Sequence, residues 1–277
     1  MCKLQILIAA YGPDALEKIA SLPHPSFPGV EYLVCWQNHD KDRIPDSLRE
    51  RKDFKIYFEE STGLCNNRNA LLEKAGDCPV LISDDDLAYK EAHLNNVIEG
   101  FRQNPDCHFL TFKYHSDAYP KTYPEEGFDI QNPPKGYFVT SMELALNLKK
   151  IRSEGNEQES LYFNPAFGVN GTVFICGEED LLIDSMLKKG FSGRFVPSEV
   201  CVNTDSTTAE RQGNTREFIE TKGAVISHIR PSTWLPRMLT HALRAAKESG
   251  ENRIPFLTYC KWWMAGVRKA RKKKVFK

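Results

Sequence analysis

The segment Cys78-Pro79-Val80-Leu81-Ile82-Ser83-Asp84-Asp85-Asp86 limits what this chain can fold into more than any other. Its short apolar run predicts a buried strand, and the run ends abruptly in three adjacent carboxylates. Like charges side by side repel, so a folded chain seldom gathers three of them without a cation or a cationic partner. The carboxyl end of a strand in an α/β sheet is also where ligands bind. Hard oxygen ligands there suit Mg2+ or Mn2+, which take one or two carboxylates and leave their other positions to phosphates. A solvated acidic turn after a strand is the alternative, and the tripeptide alone does not separate the two.

The flanking sequence alternates strands and helices. Leu4 to Ala10 predicts a first buried strand, Tyr11-Gly12-Pro13-Asp14 a turn, and Ala15 to Leu22 a short helix. Val30 to Trp36 and Phe54 to Phe58 predict two more strands, with a loop or single helical turn between them at Asn38 to Arg51. Leu64 to Ala75 reads as a helix ended by Gly76, which feeds the acidic strand. A helix over Glu91 to Arg102 and a strand over Cys107 to Lys113 follow. Tyr114 to Lys135 holds four prolines and no periodicity, which predicts a long loop.

Thr140 to Ile151 reads as helical, Thr172 to Cys176 as a late strand, and Glu179 to Lys189 as a helix closed by Gly190. Phe195 to Pro197 and Val200 to Val202 read as short extended pieces, and residues 203–214 as a loop. Arg216 to Ile226, Thr233 to Glu248 and Pro255 to Lys274 all read as helices. The expected class is α/β, with a mostly parallel sheet over residues 1–205 and a helical extension over 206–277.

Charge is unevenly spread. From Lys261 to Lys277 there are eight Lys/Arg and no acids, so residues 1–260 hold 29 basic and 37 acidic residues. An acidic body with a basic tail argues against a nucleic-acid partner. The eight cysteines form no Cys-x-x-Cys pair, and Cys65, Cys78, Cys107 and Cys176 lie in or beside apolar runs. Reduced, buried thiols in a cytoplasmic protein are expected. Leu4 to Ala10 is too short for a signal-peptide core, and no apolar stretch is long enough to span a bilayer.

Two further segments carry chemistry. Gly63-Leu64-Cys65-Asn66-Asn67-Arg68 opens the helix before the acidic strand, where free N–H groups favour anions and Arg68 can reach a phosphate or a base edge. A plain helix cap with a surface arginine explains the same residues. Gly177-Glu178-Glu179-Asp180 gathers acids in another first helical turn, where they are ordinary dipole partners. Two acidic clusters in one α/β domain suggest complementary roles, one holding a metal on a leaving diphosphate and one taking a proton from an attacking hydroxyl.

Taken in order, the first apolar strand with Ala10-Tyr11, Gly-Leu-Cys-Asn-Asn-Arg-Asn at 63–69, Leu-Ile-Ser-Asp-Asp-Asp at 81–86 and Gly-Glu-Glu-Asp at 177–180 resemble the family 2 glycosyltransferases. The resemblance covers roughly residues 3–200 and implies a GT-A fold: a Rossmann-like, mostly parallel sheet flanked by helices. It implies inverting, metal-dependent transfer of a sugar from a nucleotide-sugar, a UDP-sugar being the expected donor, to a glycan or lipid-linked acceptor, as in cell-surface polysaccharide synthesis. By the same resemblance Ala10 and Tyr11 meet the nucleobase and Arg68 contacts the base or diphosphate. Asp84 and Asp85 belong to donor binding, with Asp84 near the ribose. Asp86 ligates Mn2+ or Mg2+. Asp180, with Glu179 beside it, matches the catalytic base. The Phe163 to Gly171 segment falls where such enzymes shape an acceptor pocket. His228, next to Ile226 and Ile229, reads as packed and stays outside the site.

The tail, Tyr259 to Lys274, combines paired tryptophans with a basic cluster. Tyr259, Trp262, Trp263, Met264 and Val267 suit either packing on the body or an anionic membrane surface. The tail thus points to peripheral attachment at the inner face of the cell membrane. A nucleotidyltransferase, and a non-catalytic glycan- or membrane-binding protein on the same scaffold, are the rival readings.

Overall fold

The computed structural model describes residues 2–40, 43–117, 120–154, 161–204 and 212–276. The chain divides into two compact units: Met1–Phe163 with Ser185–Ser206, and Asn164–Asp184 with Thr207–Lys277.

The first unit is built on a nine-stranded sheet. Its elements are β1 (Leu4–Tyr11), α1 (Ala15–Ser21), β2 (Val30–Gln37), α2 (Asp46–Arg49), β3 (Phe54–Glu59), α3 (Leu64–Lys74) and β4 (Pro79–Asp84). β5 (Leu87–Ala88), α4 (Glu91–Gln103), β6 (Phe109–His115), β7 (Phe128–Asp129), β8 (Leu144–Asn147), α5 (Leu148–Glu154) and β9 (Gly193–Asn203) follow, with α6 (Glu178–Lys188) preceding β9. The strand order is β3-β2-β1-β4-β8-β6-β9-β5, with β7 beside β9.

β1 pairs in parallel with β2 on one side and β4 on the other. The chain therefore leaves β1 for one half of the sheet and returns for the other, and such a switch point opens a crevice at the carboxyl ends of the strands. Leu4 through Ala10 are buried without interruption, as a run covered on both faces must be. Ile6, Ile8 and Ala10 join Leu81, Tyr32 and Trp36 in the main core. The register sets Ala9 opposite Asp84, so the end of β1 lies against the start of the acidic triplet.

Two expected elements take another form. The helix expected over Thr140 to Ile151 is a 3-10 turn at Ser141–Glu143, then β8, then α5. Leu144, Ala145 and Leu146 have no exposed surface; Ala145 and Leu146 pair antiparallel with both β4 and β6, and Leu144 with β6. Their helical propensity yields to a place in the middle of the sheet. The strand expected at Thr172 to Cys176 does not form. The N–H groups of Val173 and Phe174 donate to Ala166 O and that of Thr172 to Pro165 O, so their partners lie in a local turn. Gly168 and Asn170 take positive φ there, 91° and 55°.

The second unit is helical: α7 (Arg216–Ile229), α8 (Trp234–Lys247) and α9 (Phe256–Lys273), together with the first turns of α6. α7 and α9 approach to backbone contact through glycines. A Cβ on Gly266 would lie 1.8 Å from Glu220 O, and one on Gly223 2.4 Å from Trp263 O. Tyr259, Trp263 and Val267 are buried in a core with Ile219, Met238 and Ala242, against which Trp262 and Met264 pack partly buried. The tail aromatics thus face inward, whereas Lys261, Arg268 and Lys269 are exposed. Phe167 stacks on Phe174 and Phe276, and His228 stacks on Phe276 at 4.0 Å. All eight cysteines are free of disulfides. Among the described residues no helix is long and apolar enough to cross a membrane.

Candidate active site

The switch point of the first unit gathers Ala10, Tyr11, Arg68, Asp84, Asp85 and Asp86. The turn after β1 is held in place from β2: Trp36 Nε1 donates to Gly12 O at 2.6 Å, and the Gly12 N–H donates to Gln37 O at 3.0 Å. Gly12 adopts φ of 93°, a conformation that other residues reach only with strain. Tyr11 is half exposed, and its N–H points at Asp85 Oδ2, 3.4 Å away.

α3 closes the floor. Asn67 Nδ2 donates to Ala10 O at 3.2 Å and to Cys35 O at 2.9 Å, tying the ends of β1 and β2 to the helix. Ala10 is fully buried, so it serves as wall and strut beneath the exposed Tyr11. Asn69 is joined to Phe163 by two hydrogen bonds, donating to its O and accepting from its N–H, both at 2.8 Å. Arg68 lies between them. It is 1% exposed, its guanidinium 5.5 Å from the centre of the Phe163 ring, and its Nη2 donates to Asp84 Oδ1 at 2.8 Å.

The three carboxylates diverge. Asp84 faces Arg68 and, at 3.5 Å, the Ser141 hydroxyl. Asp85 faces Lys18 of α1, whose Nζ lies 3.0 Å from Asp85 Oδ1 and 3.9 Å from Asp86 Oδ2. The Asp86 backbone is fixed by Thr204, whose hydroxyl donates to Asp86 O at 2.7 Å. The base of the triplet is sealed by Tyr89, whose hydroxyl donates to Ser83 Oγ at 2.7 Å.

Burial, and then the neighbouring Asp84 and Asp85 charges, push the Asp86 carboxyl up to about 6 against the pull of Lys18. Burial likewise raises Asp85. Among the described residues the three carboxylates face Arg68 and Lys18, and a hard dication suits such a donor set. Among the described residues no three His, Cys, Asp or Glu side chains are grouped as a protein-only metal cage. Mg2+ and Mn2+ do not need one, because substrate phosphates and water complete their shells.

Glu178, Glu179 and Asp180 form the first turn of α6 in the second unit. Gly177 precedes them with φ of 90°, and a Cβ there would lie 2.7 Å from Val225 Cγ2. Lys222 of α7 lies near these acids, with Arg244 also in its neighbourhood. Burial lowers its pKa, while the charges of Asp180 and Cys176 work in the opposite direction. Burial, with Glu179, Glu178 and Asp180 nearby, raises the Cys176 thiol.

Sequence reasoning did not find Lys18, Ser141, Asn67, Thr204 or Lys222. Asn67 stood beside Arg68 and could have been found, because an asparagine inside a βα turn is suited to bridging strand-end carbonyls. Lys18, Ser141 and Thr204 reach the triplet across long separations that only the assembled sheet closes, and Lys222 reaches Asp180 only through the packing of the second unit.

No protein-family model matches the sequence, and no curated protein matches it. Solved structures do. The chain superposes on residues 1–349 of TarS from S. aureus with a TM-score of 0.57 at 13% identity, covering 98% of this chain and 72% of that one. The same fragment in complex with UDP-GlcNAc matches with a TM-score of 0.55 at 13% identity over 98% and 73% of the two chains. The mannosyltransferase PcManGT from Pyrobaculum calidifontis, in complex with GDP-Man and Mn2+, matches with a TM-score of 0.50 at 13% identity over 99% and 87%. The chain has the GT-A glycosyltransferase fold.

Proposed function

We propose that this protein is an inverting glycosyltransferase that moves a sugar from a nucleotide-sugar, a UDP-sugar in our reading, to a hydroxyl of a glycan or lipid-linked acceptor. The observation that carries the reading is the strand-end triplet Asp84-Asp85-Asp86, set beside the end of β1 and braced by buried Arg68 in a GT-A fold. UDP-GlcNAc in TarS and GDP-Man with Mn2+ in the mannosyltransferase support a nucleotide-sugar donor.

Each residue then has a task. Tyr11, exposed at the end of β1, offers a ring face to the base. Asp84, its far side held by Arg68, accepts from ribose hydroxyls. Asp86, with Asp85 beside it, holds Mn2+ or Mg2+. When bound, such an ion neutralises the diphosphate and eases its departure. Asp180, with Glu179 next to it, takes the acceptor proton. The acceptor oxygen forms a bond to the anomeric carbon as the bond from that carbon to the diphosphate oxygen breaks. The diphosphate leaves with the electron pair, and the hydroxyl proton passes to Asp180. The exposed basic residues of α9 support attraction to an anionic membrane, where a lipid-linked acceptor would lie.

The test is the leaving group. Incubation with a UDP-sugar, a divalent ion and cell-envelope lipids should release UDP, and Asp180→Asn should lose this release while retaining UDP binding. Release of pyrophosphate would establish a nucleotidyltransferase. No turnover in either form, with glycan or membrane binding intact, would establish a binding protein.

A further inference from the structure

The second unit carries a surface that donor chemistry leaves unused. α8 has two apolar faces. Met238 and Ala242 are buried in the core with Trp263. Leu235, Leu239 and Leu243 form a second stripe, 49%, 41% and 54% exposed. At 100° per residue this stripe covers an arc of about 80° beside the buried face, and Arg237 and Arg244 lie beyond it. Leu257, at the start of α9, is 79% exposed. Single exposed leucines are ordinary, but three in register along one helix form a contact surface.

Charge selects what covers it. From Arg230 to Lys277 the sequence has thirteen Lys/Arg and two acids. A second copy meeting this face symmetrically would set that charge against itself. A nucleic acid would satisfy the cations and offer the leucines nothing. An anionic bilayer interface takes both, with leucines at the acyl boundary and arginines among the headgroups.

We propose that α8 is an interfacial docking helix that inserts Leu235, Leu239 and Leu243 into the surface of an anionic membrane. The proposal uses none of the donor residues and stands whether or not the transfer reaction is as assigned.

The test uses the full chain with vesicles of phosphatidylcholine alone or mixed with phosphatidylglycerol. Co-sedimentation should occur with the anionic vesicles and weaken as salt is added. The triple variant Leu235→Ser, Leu239→Ser, Leu243→Ser should unfold at the wild-type temperature and partition about tenfold or more weakly. If that variant fails to fold, Arg237→Glu with Arg244→Glu decides, and should abolish binding to the anionic vesicles. Wild-type protein that stays in solution, or a folded triple variant that binds as wild type, would overturn the proposal. So would a concentration-dependent oligomer, formed without lipid and lost in the triple variant, which would make the stripe a contact between copies. UDP-induced stabilisation, read in parallel, should be the same in all variants, which separates this result from the fate of the donor site.

Discussion

Arg68 Nη2 lies 2.8 Å from Asp84 Oδ1, with the arginine side chain 1% exposed and the aspartate 28%. The pair joins α3 to the end of β4 and fixes one carboxylate of the triplet, leaving its neighbours to face elsewhere. Removing one partner leaves the other charge poorly solvated. Arg68→Met should lower unfolding stability by about 3 kcal/mol, and Arg68→Met with Asp84→Asn should recover at least half of the loss. Urea unfolding of Arg68→Met, Asp84→Asn and the double variant checks this. A double-variant loss equal to the sum of the two single losses would show that the two charges are uncoupled.

Lys18 stands against both Asp85 and Asp86, and its side chain is 42% exposed. So open a pair contributes little on its own, about 0.2–1 kcal/mol. Its larger effect should be competition with a divalent ion for the same oxygens. Lys18→Met should unfold slightly earlier than wild type in EDTA and gain more from Mn2+. The measurement is the difference in Tm between EDTA and Mn2+, which an identical gain in both proteins would contradict.

His24 provides a pH signature of the first unit. It sits against the Tyr32, Phe54 and Tyr89 rings, and burial, aided by the Arg51 charge, lowers its pKa from 6.5 to about 4. The unfolded chain therefore binds the extra proton between these values. The stability His24 contributes is complete above pH 6.5 and is lost as pH falls toward 4. Between pH 7 and pH 5 its share amounts to about 2 kcal/mol. His241 in the second unit is lowered in the same direction, also to about 4, so the diagnostic quantity is a difference. His24→Phe should flatten the fall in stability between pH 7 and pH 5 by that amount, read from urea midpoints at the two pH values.

Much of this architecture was legible because fully buried parallel strands write themselves as unbroken apolar runs, as Leu4 to Ala10 and Val80 to Ile82 do. The acidic triplet was legible because its ends of strand and charge coincide in sequence. β8 was not, since Leu144-Ala145-Leu146 carries no alternation and only flanking strands make it extended. Thr172 to Cys176 misled for the opposite reason: Thr172, Val173 and Phe174 satisfy their N–H groups in a local turn, and Ile175 donates to the Thr221 hydroxyl. Lys18 was invisible because its partners stand 67 and 68 positions away in the chain. The tail aromatics read equally as membrane anchors or core, and the exposed leucines of α8 became distinct only once the buried face of that helix was known.

The central claim is that the Asp84-Asp85-Asp86 end of β4 binds the nucleoside diphosphate of a sugar donor through a divalent ion. Thermal unfolding with UDP, GDP, CDP and CMP, each with Mn2+ or EDTA, tests it most directly on wild type and Asp86→Ala. A nucleotide at a hundred times its Kd should stabilise the first unit by about 2.7 kcal/mol. The account predicts a rise in Tm with UDP that requires Mn2+ and disappears in Asp86→Ala. No rise with any nucleotide, or a rise that persists in EDTA and in the variant, would contradict it.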